Sequence, residues 1–175
     1  MDDLRYPIGK FDIHAPMDAA SLQAACRDIR ELPDRLAAAV AGLSDRQLDT
    51  PYRPGGWTVR QVVHHLPDSH INAYIRLRLA LTEDLPDIRT YMEDRWAELA
   101  DARTLPIEPS LSLVRGLHER WSHLLESLSP SEFERAFMHP DLGKFSIARQ
   151  TGLYGWHSRH HVAHITELRK RMGWQ

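Results

Sequence analysis

The sequence has one cysteine, Cys26, in 175 residues. A single cysteine excludes an internal disulfide framework and a zinc finger built from several cysteines. Neither sign of charge dominates, because 22 Lys and Arg side chains stand against 24 Asp and Glu side chains, a formal net charge of −2. Without a basic excess, binding of nucleic acid through its phosphates is not expected.

Long apolar runs are also missing, because charged residues interrupt every hydrophobic stretch, so no membrane-spanning segment or membrane partner is expected. The start Met1-Asp2-Asp3 lacks the basic and apolar regions of a secretory signal, which favours a cytoplasmic protein. Hydrophobic residues make up 42% and charged residues 26%, as in soluble globular proteins. The length fits one domain over residues 1–175.

Hydrophobic spacing predicts an all-α protein. Long helices are expected over residues 19–43, 59–82, 110–128 and 147–172, with a shorter helix over 91–102. Pro33 should kink or divide the first helix, and Pro67 should kink the second. Residues 139–144 are predicted to form a loop, and no strand alternation is evident. The architecture that fits is a four-helix bundle with extra short helices and a longer crossover.

Three helix boundaries have a local chemical signature. Thr58 followed by Gln61 has the spacing of a capping box at a helix N-terminus. Ser129, with Pro130 next and Glu132 three residues on, predicts a short helical turn. Gly173 is the expected end of the last helix.

Histidine is the unusual component, with 11 copies. It is the commonest metal ligand and it titrates near neutral pH. Two groups lie on predicted helices: His64, His65 and His70 on the second, and His157, His160, His161 and His164 on the last. The latter share the apolar side of their helix, so they are expected to point into the bundle, where unpaired polar groups are costly.

Helical spacing does not choose which histidines of the last helix would bind a metal. His160 with His164, His157 with His161, and His161 with His164 all lie about one turn apart. His160 lies at the edge of the apolar stripe, which slightly favours the neighbouring histidines as ligands. A third ligand must come from another helix, and His65 begins a polar stripe that continues through Ser69, Asn72 and Arg76 and is typical of a cleft lining.

At these residues the chain resembles the DinB/YfiT-like superfamily, and its YfiT branch in particular. The resemblance covers nearly the whole sequence, and its most specific segments are 55–66, which includes Gly-Gly-Trp-Thr, and 152–168, which includes His160-His161-Val-Ala-His164. It implies a four-helix-bundle metalloprotein, a homodimer, and three histidine ligands that match His65, His160 and His164.

Three neutral ligands leave a coordination position open, which is typical of catalytic rather than structural zinc. Imidazole ligands suit zinc, the first expectation, and also nickel, iron or copper. The resemblance implies a metal-dependent hydrolase that activates a metal-bound water and acts on a small molecule. The alternatives are an S-transferase for a low-molecular-weight thiol of the bacillithiol type, with the metal holding the thiolate, and a non-catalytic metal-binding module.

The catalytic base is not identified by the sequence. Other polar residues near the expected ligands are candidates for contacts with those ligands or for the cleft wall. On the two helices they are Asp68, Ser69, Asn72, Arg76, His157, His161 and Glu167, and Asp94 is a further candidate between the helices.

Overall fold

The computed structural model describes residues 2–174, without the side chains of residues 2 and 3. Its elements are, in chain order, α1 (Asp2–Arg5), α2 (Ala19–Val40), α3 (Asp45–Leu48), α4 (Val59–Thr82), α5 (Glu93–Trp96), α6 (Ala100–Thr104), α7 (Glu108–Ser127), α8 (Pro130–Phe133), β1 (Ala136–His139), β2 (Gly143–Ser146) and α9 (Ile147–Met172).

The four long helices, α2, α4, α7 and α9, form the bundle that the sequence predicts. Helix α2 packs mainly on α9 and α7, and α4 packs on the same two helices. Helices α2 and α4 therefore lie on opposite sides of the bundle, and α9 lies between them. This position lets α9 direct one side of its surface at α4 and another at α2.

Local chemistry sets the ends of these helices as predicted. The Thr58 hydroxyl accepts from the amide of Gln61, and the Gln61 side chain accepts from the amide of Thr58, so the capping box is confirmed. Ser129 and Glu132 form the same arrangement at α8. Helix α9 ends at Gly173, which adopts φ 66°, a left-handed conformation that glycine accepts at little cost.

Both proline-containing helices are continuous, α2 ending three residues before the predicted boundary and α4 having the predicted bounds. Pro33 lies inside α2 and Pro67 lies inside α4, and neither divides its helix. Both prolines are buried. Packing against the bundle can offset the backbone hydrogen bond that a proline removes, because tertiary contacts supply most of a helix's stability.

The segment after α8 differs from the prediction. Residues 136–146, which include the predicted loop 139–144, form an antiparallel hairpin in which Phe137 pairs with Phe145. Each strand has four residues, too few to show the alternation that identifies a strand in a sequence. The expected helix over 91–102 is also wrong, because two short helices, α5 and α6, replace it.

The bundle interior contains two clusters of buried apolar side chains. One surrounds Trp121 and Phe137 and includes Tyr154 of α9. The other surrounds Leu36 and includes Leu66 of α4. His65 precedes Leu66 and His157 follows Tyr154 by three residues, so the two histidines lie where the clusters meet.

Within residues 2–174, no helix is long and apolar enough to cross a membrane.

Candidate metal centre

Three histidines from two helices converge in the bundle. His65 comes from α4, and His157 and His161 come from successive turns of α9. One ring nitrogen of each lies within 4.8 Å of the other two. The Nε2 atom of His157 is 3.3 Å from that of His65 and 3.1 Å from that of His161.

These spacings fit a metal ion. In a tetrahedral zinc site, with Zn–N bonds of about 2.0–2.1 Å, nitrogen ligands lie about 3.3–3.4 Å apart. The group contains no thiolate or carboxylate. Three neutral imidazoles would therefore leave the charge of a divalent ion undiminished and one coordination position open.

Polar contacts between α9 and α4 turn these histidines toward each other. The Gln150 side chain donates to the carbonyl of Ala73 at 2.6 Å. The Tyr154 hydroxyl lies 3.3 Å from the carbonyl oxygen of Ser69. Gln150, Tyr154, His157 and His161 follow one another at helical spacing, so this side of α9 faces α4.

His160 and His164 lie about 60° further round α9, because three residues turn a helix by about 300°. His164 stacks on Tyr52 at 3.9 Å between ring centroids, and its Nε2 donates to the carbonyl of Arg5 at 3.0 Å. His160 stacks on Trp156 at 4.3 Å, and its buried Nδ1 has no hydrogen-bond partner among the described residues.

Two further buried histidines continue from the convergent group. The Nδ1 of His157 lies 3.0 Å from the Nε2 of His70, whose Nδ1 lies 2.9 Å from the Nε2 of His118. His118 ends this row with its Nδ1 at 2.6 Å from the carbonyl oxygen of Ile29. His70 and His118 are 0% and 1% exposed, so they have no access to water.

Burial keeps the rings neutral. Desolvation lowers the pKa of His65 and of His118 to about 4. The pKa values of His70, His157 and His161 are also lowered, first by desolvation and then by their neighbouring histidines. Neutral imidazole is the form that binds a metal ion.

A cleft of about 860 Å³ opens onto the three histidines. Its wall carries charges of both signs: the guanidinium groups of Arg5, Arg53 and Arg76, and the carboxylates of Glu93, Asp94 and Asp141. Trp57 lies beside His65, with 4.7 Å between ring centroids, and also lines the cleft. The cleft is large enough for a small-molecule ligand.

Comparison with known proteins identifies the family. A model of the DinB superfamily matches residues 28–165. The chain belongs to the DinB superfamily. It is 52% identical over 174 residues to proteins of Bacillus cereus (strain AH820) and Bacillus anthracis (strain A0248), each named "Putative metal-dependent hydrolase"; the match spans 99% of this chain and 100% of each relative.

A solved structure of this superfamily has the same fold. It is YfiT from Bacillus subtilis, described as "a probable metal-dependent hydrolase with an unusual four-helix bundle topology". The two chains superpose with a TM-score of 0.94 at 49% sequence identity, over 99% of each chain. The resemblance to the DinB/YfiT-like superfamily and the four-helix bundle predicted from it are confirmed.

The structure groups the predicted ligands differently from the sequence. His65 does lie in the convergent group, but its partners on α9 are His157 and His161. The expected ligands His160 and His164 line the same cleft, His160 stacked on Trp156 and His164 on Tyr52, and their role as ligands stays a prediction. The reason is tertiary, because the contacts of Gln150 and Tyr154 fix which side of α9 meets α4.

Some of the other predicted residues line the cleft and others do not. Ser69, Arg76 and Asp94 line the cleft together with all four histidines of α9. In the part of the chain that the structure describes, Asp68, Asn72 and Glu167 do not line the cleft. The Asn72 side chain donates to the carbonyl of Asp68 on its own helix, at 2.8 Å.

Neither the helical spacing nor the resemblance predicted the contact between His70 and His118. His118 is a single histidine on its helix, although Val114 and Trp121 at helical spacing mark its side as buried. Its contact with His70 joins residues 48 positions apart. No pattern within one helix contains such a contact.

Proposed function

We propose that the chain is a metal-dependent hydrolase in which His65, His157 and His161 hold one divalent ion. The convergence of the Nε2 atoms of these three histidines, with two spacings of 3.1 and 3.3 Å, carries this proposal. The names of the Bacillus relatives support the same reaction class. The sequence-based alternative, with His160 and His164 as ligands, is a competing prediction that the experiment below separates.

Zinc is the first choice of ion and nickel the second, because both accept imidazole ligands. When bound, such an ion acts as a Lewis acid that lowers the pKa of a coordinated water toward 7. The two helices position the three rings, and burial keeps them neutral. The tilted contact of Trp57 with His65 limits the movement of that ring.

The cleft residues provide the other parts that hydrolysis needs. A general base has to accept a proton, and Glu93, Asp94 and Asp141 are carboxylates on the cleft wall. Arg5, Arg53 and Arg76 can bind an anionic group of a substrate. A small molecule with a hydrolysable bond and an acidic group fits this lining best.

The same arginines favour a second function. An S-transferase must bind a charged low-molecular-weight thiol, such as one of the bacillithiol type, and three guanidinium groups would recognise its carboxylates. Thiolate binding would use the same open coordination position as hydrolysis. The two functions therefore differ in the nucleophile, which is water in the hydrolase and a thiolate in the transferase. A third proposal is that the protein binds a metal ion without catalysing a reaction.

Metal content tests the site. Purified protein is stripped with a chelator, loaded with Zn²⁺ or Ni²⁺, dialysed and analysed for metal per chain. We expect one ion in wild type, in His160→Ala and in the exposed-histidine control His123→Ala. We expect little or none in His157→Ala and His161→Ala. Loss of the ion in His160→Ala, with retention in His157→Ala, would instead support the His160–His164 pair.

Activity tests the reaction class. The loaded and stripped proteins are given a panel of carboxylic esters, amides and lactones, and separately a low-molecular-weight thiol with an electrophile. We expect metal-dependent hydrolysis that Arg76→Ala weakens for anionic substrates. Thiol conjugation without hydrolysis would support the transferase, and no turnover in either assay would support the binding protein.

Three broader expectations stay proposals. We propose that the chain folds as one domain, forms a homodimer and acts in the cytoplasm. Light scattering of the purified protein measures the oligomeric state, and limited proteolysis measures whether the chain is one unit. Cell fractionation measures the location.

A further inference from the structure

The hairpin places a histidine on the cleft wall that the proposed metal centre does not use. His139 is the last residue of β1, where it pairs with Gly143 of β2, and it lines the cleft. Its Nδ1 accepts from the backbone amides of Asp141 and Leu142, at 3.1 and 3.3 Å. Gly143, with φ 67°, permits the tight turn that brings these amides onto the ring. The turn therefore holds His139 by one edge of its imidazole.

These two hydrogen bonds make the other ring nitrogen of His139 a donor. A nitrogen that accepts from two amides carries no proton, so the single N–H of the neutral ring is on Nε2. Among the described residues, Nε2 has no hydrogen-bond partner, and 15% of the side chain is exposed. His139 therefore offers an N–H to a molecule in the cleft.

Arg76 of α4 supplies a positive charge on the same wall. Its Nη2 donates to the carbonyl of Arg89 at 2.9 Å, and its guanidinium forms no ion pair within residues 2–174. A guanidinium has five N–H donors, so most of them remain for a ligand. Arginine is the side chain that most often binds planar oxyanions such as carboxylates.

One short segment of the chain anchors both groups. Met138, next to His139, exchanges two backbone hydrogen bonds with residues 86–88, at 2.8 and 3.0 Å. Arg89 follows this segment, and its carbonyl binds Arg76. The proximity also has an electrostatic effect, because burial first and then the charge of Arg76 lower the pKa of His139. Asp141 acts in the opposite direction on that pKa.

We propose that the guanidinium of Arg76 and the Nε2–H of His139 form a subsite that binds a carboxylate of the substrate, with one oxygen on each group. A singly charged group fits best, because Arg76 is the one cation of the pair. The carboxylate of Asp141 also lies 3.9 Å from Nδ1 of His139 and opposes a second negative charge. In naming a substrate class, this inference rests on the function proposed above, whereas carboxylate binding itself needs no metal ion.

Another arginine of the cleft wall is engaged differently. Arg53 uses two of its nitrogens on its own loop, donating to the Tyr52 hydroxyl at 3.2 Å and to the Pro54 carbonyl at 3.1 Å. Arg76 has a second donor, the N–H of His139, held close to it by residues 86–89. A substrate with one carboxylate should therefore bind with that group at the hairpin.

A matched pair of ligands tests the subsite. The probes are 4-phenylbutyrate and its neutral amide, 4-phenylbutanamide, whose ring suits a cleft that Trp57 and Tyr91 line. Both are titrated into ¹⁵N-labelled protein, stripped of metal so that no ion can bind the carboxylate, and then into Zn²⁺-loaded protein. In the stripped protein we expect the carboxylate to bind about 10-fold more tightly than the amide. The ¹⁵N and ¹H resonances of the His139 Nε2–H should shift with the carboxylate.

Two variants separate ligand binding from a structural role of the turn. His139→Asn keeps a side-chain acceptor for the turn amides but lacks the ring N–H that reaches the cleft. Arg76→Gln removes the charge and keeps a donor for the carbonyl of Arg89. We expect the preference for the carboxylate to fall to about threefold in His139→Asn and below about twofold in Arg76→Gln. The same losses are expected in the Zn²⁺-loaded protein.

Arg78→Gln is the matched control. It removes the same charge from the exposed side of α4, outside the described lining of the cleft, and should keep the wild-type preference. An equal loss in Arg78→Gln, or no loss in folded His139→Asn and Arg76→Gln, would overturn the inference. If Arg76→Gln does not fold, His139→Asn and the His139 resonance in wild type decide. Tighter binding of phenyl phosphate than of 4-phenylbutyrate would contradict the choice of a carboxylate.

Failure of the subsite and failure of the proposed function give different results. A protein that prefers the carboxylate but binds no metal ion would contradict the proposed function and support the subsite. Metal-dependent hydrolysis by a protein that binds both probes equally would contradict the subsite and support the function.

Discussion

At Gly155 helix α9 packs directly on Ala25 of α2, and replacing the glycine by alanine tests how tightly these two helices are held together. A Cβ atom at this position would lie 2.7 Å from Cα, 2.8 Å from Cβ and 3.1 Å from the carbonyl oxygen of Ala25. Favourable carbon contacts lie at about 3.5–4.0 Å, so the helices would have to separate locally by about 0.8 Å.

Two opposing effects decide whether Gly155→Ala stabilises or destabilises the protein. Replacing glycine by alanine inside a helix stabilises it by about 1 kcal/mol. Forcing a methyl group into a packed contact costs about 1–3 kcal/mol, and more where the obstacle is backbone. Because two of the three contacts at Gly155 are to backbone atoms, we expect Gly155→Ala to destabilise the protein by about 1–2 kcal/mol.

Gly116 provides the matched control. It lies on the exposed side of α7, and a Cβ there would meet no atom within 4 Å. Gly116→Ala should therefore show the helix preference alone and stabilise the protein by about 0.5–1 kcal/mol. Urea unfolding followed by circular dichroism measures both variants. A Gly155→Ala protein as stable as Gly116→Ala would refute the close-contact reasoning.

Three further predictions concern the surroundings of the site. Gly152→Ala should change stability by less than about 0.5 kcal/mol, because the atoms nearest its Cβ would belong to the flexible end of Met17, with Phe11 in ordinary contact at 3.6 Å; a larger loss in urea unfolding would show that the end of Met17 cannot move. Asp28→Asn should cost about 1–2 kcal/mol, since the buried Asp28 carboxylate pairs with Arg159 of α9; an unchanged midpoint would contradict a structural role for the pair. Burial raises the pKa of Asp68 from 3.8 to about 6, so the contribution of Asp68 to stability should fall as the pH rises from 4 to 6, against the gain from the buried histidines, whose pKa values are lowered. Asp68→Asn should then be more stable than wild type by about 1 kcal/mol above pH 6 and equal to it below pH 4, as measured by urea unfolding. A stability difference that does not change with pH would show that the ionisation of Asp68 does not cause it.

Local chemistry made the helix ends predictable. The capping box of Thr58 and Gln61 and the glycine at position 173 depend on residues within one turn, and the structure contains both. The long helices followed from hydrophobic spacing over five or more turns. The hairpin at residues 136–146 was missed because four-residue strands carry too little pattern to detect.

The candidate site was predictable only in part. The sequence identified both helices and His65, and its spacing allowed His157 with His161 among three pairs. The resemblance selected His160 and His164, which lie about 60° away around the helix, and this choice of ligands stays a prediction. Contacts of Gln150 with Ala73 and of Tyr154 with Ser69 decide which side faces α4, and these are tertiary contacts that the pattern of α9 does not contain.

The most direct test of the account is a crystal structure of the Zn²⁺-loaded protein with anomalous diffraction at the zinc edge. The account predicts one peak per chain, about 2.0–2.1 Å from the Nε2 atoms of His65, His157 and His161. It also predicts that His160 and His164 do not contact the ion. A peak bound by His160 and His164, or no peak in the cleft at full loading, would contradict it.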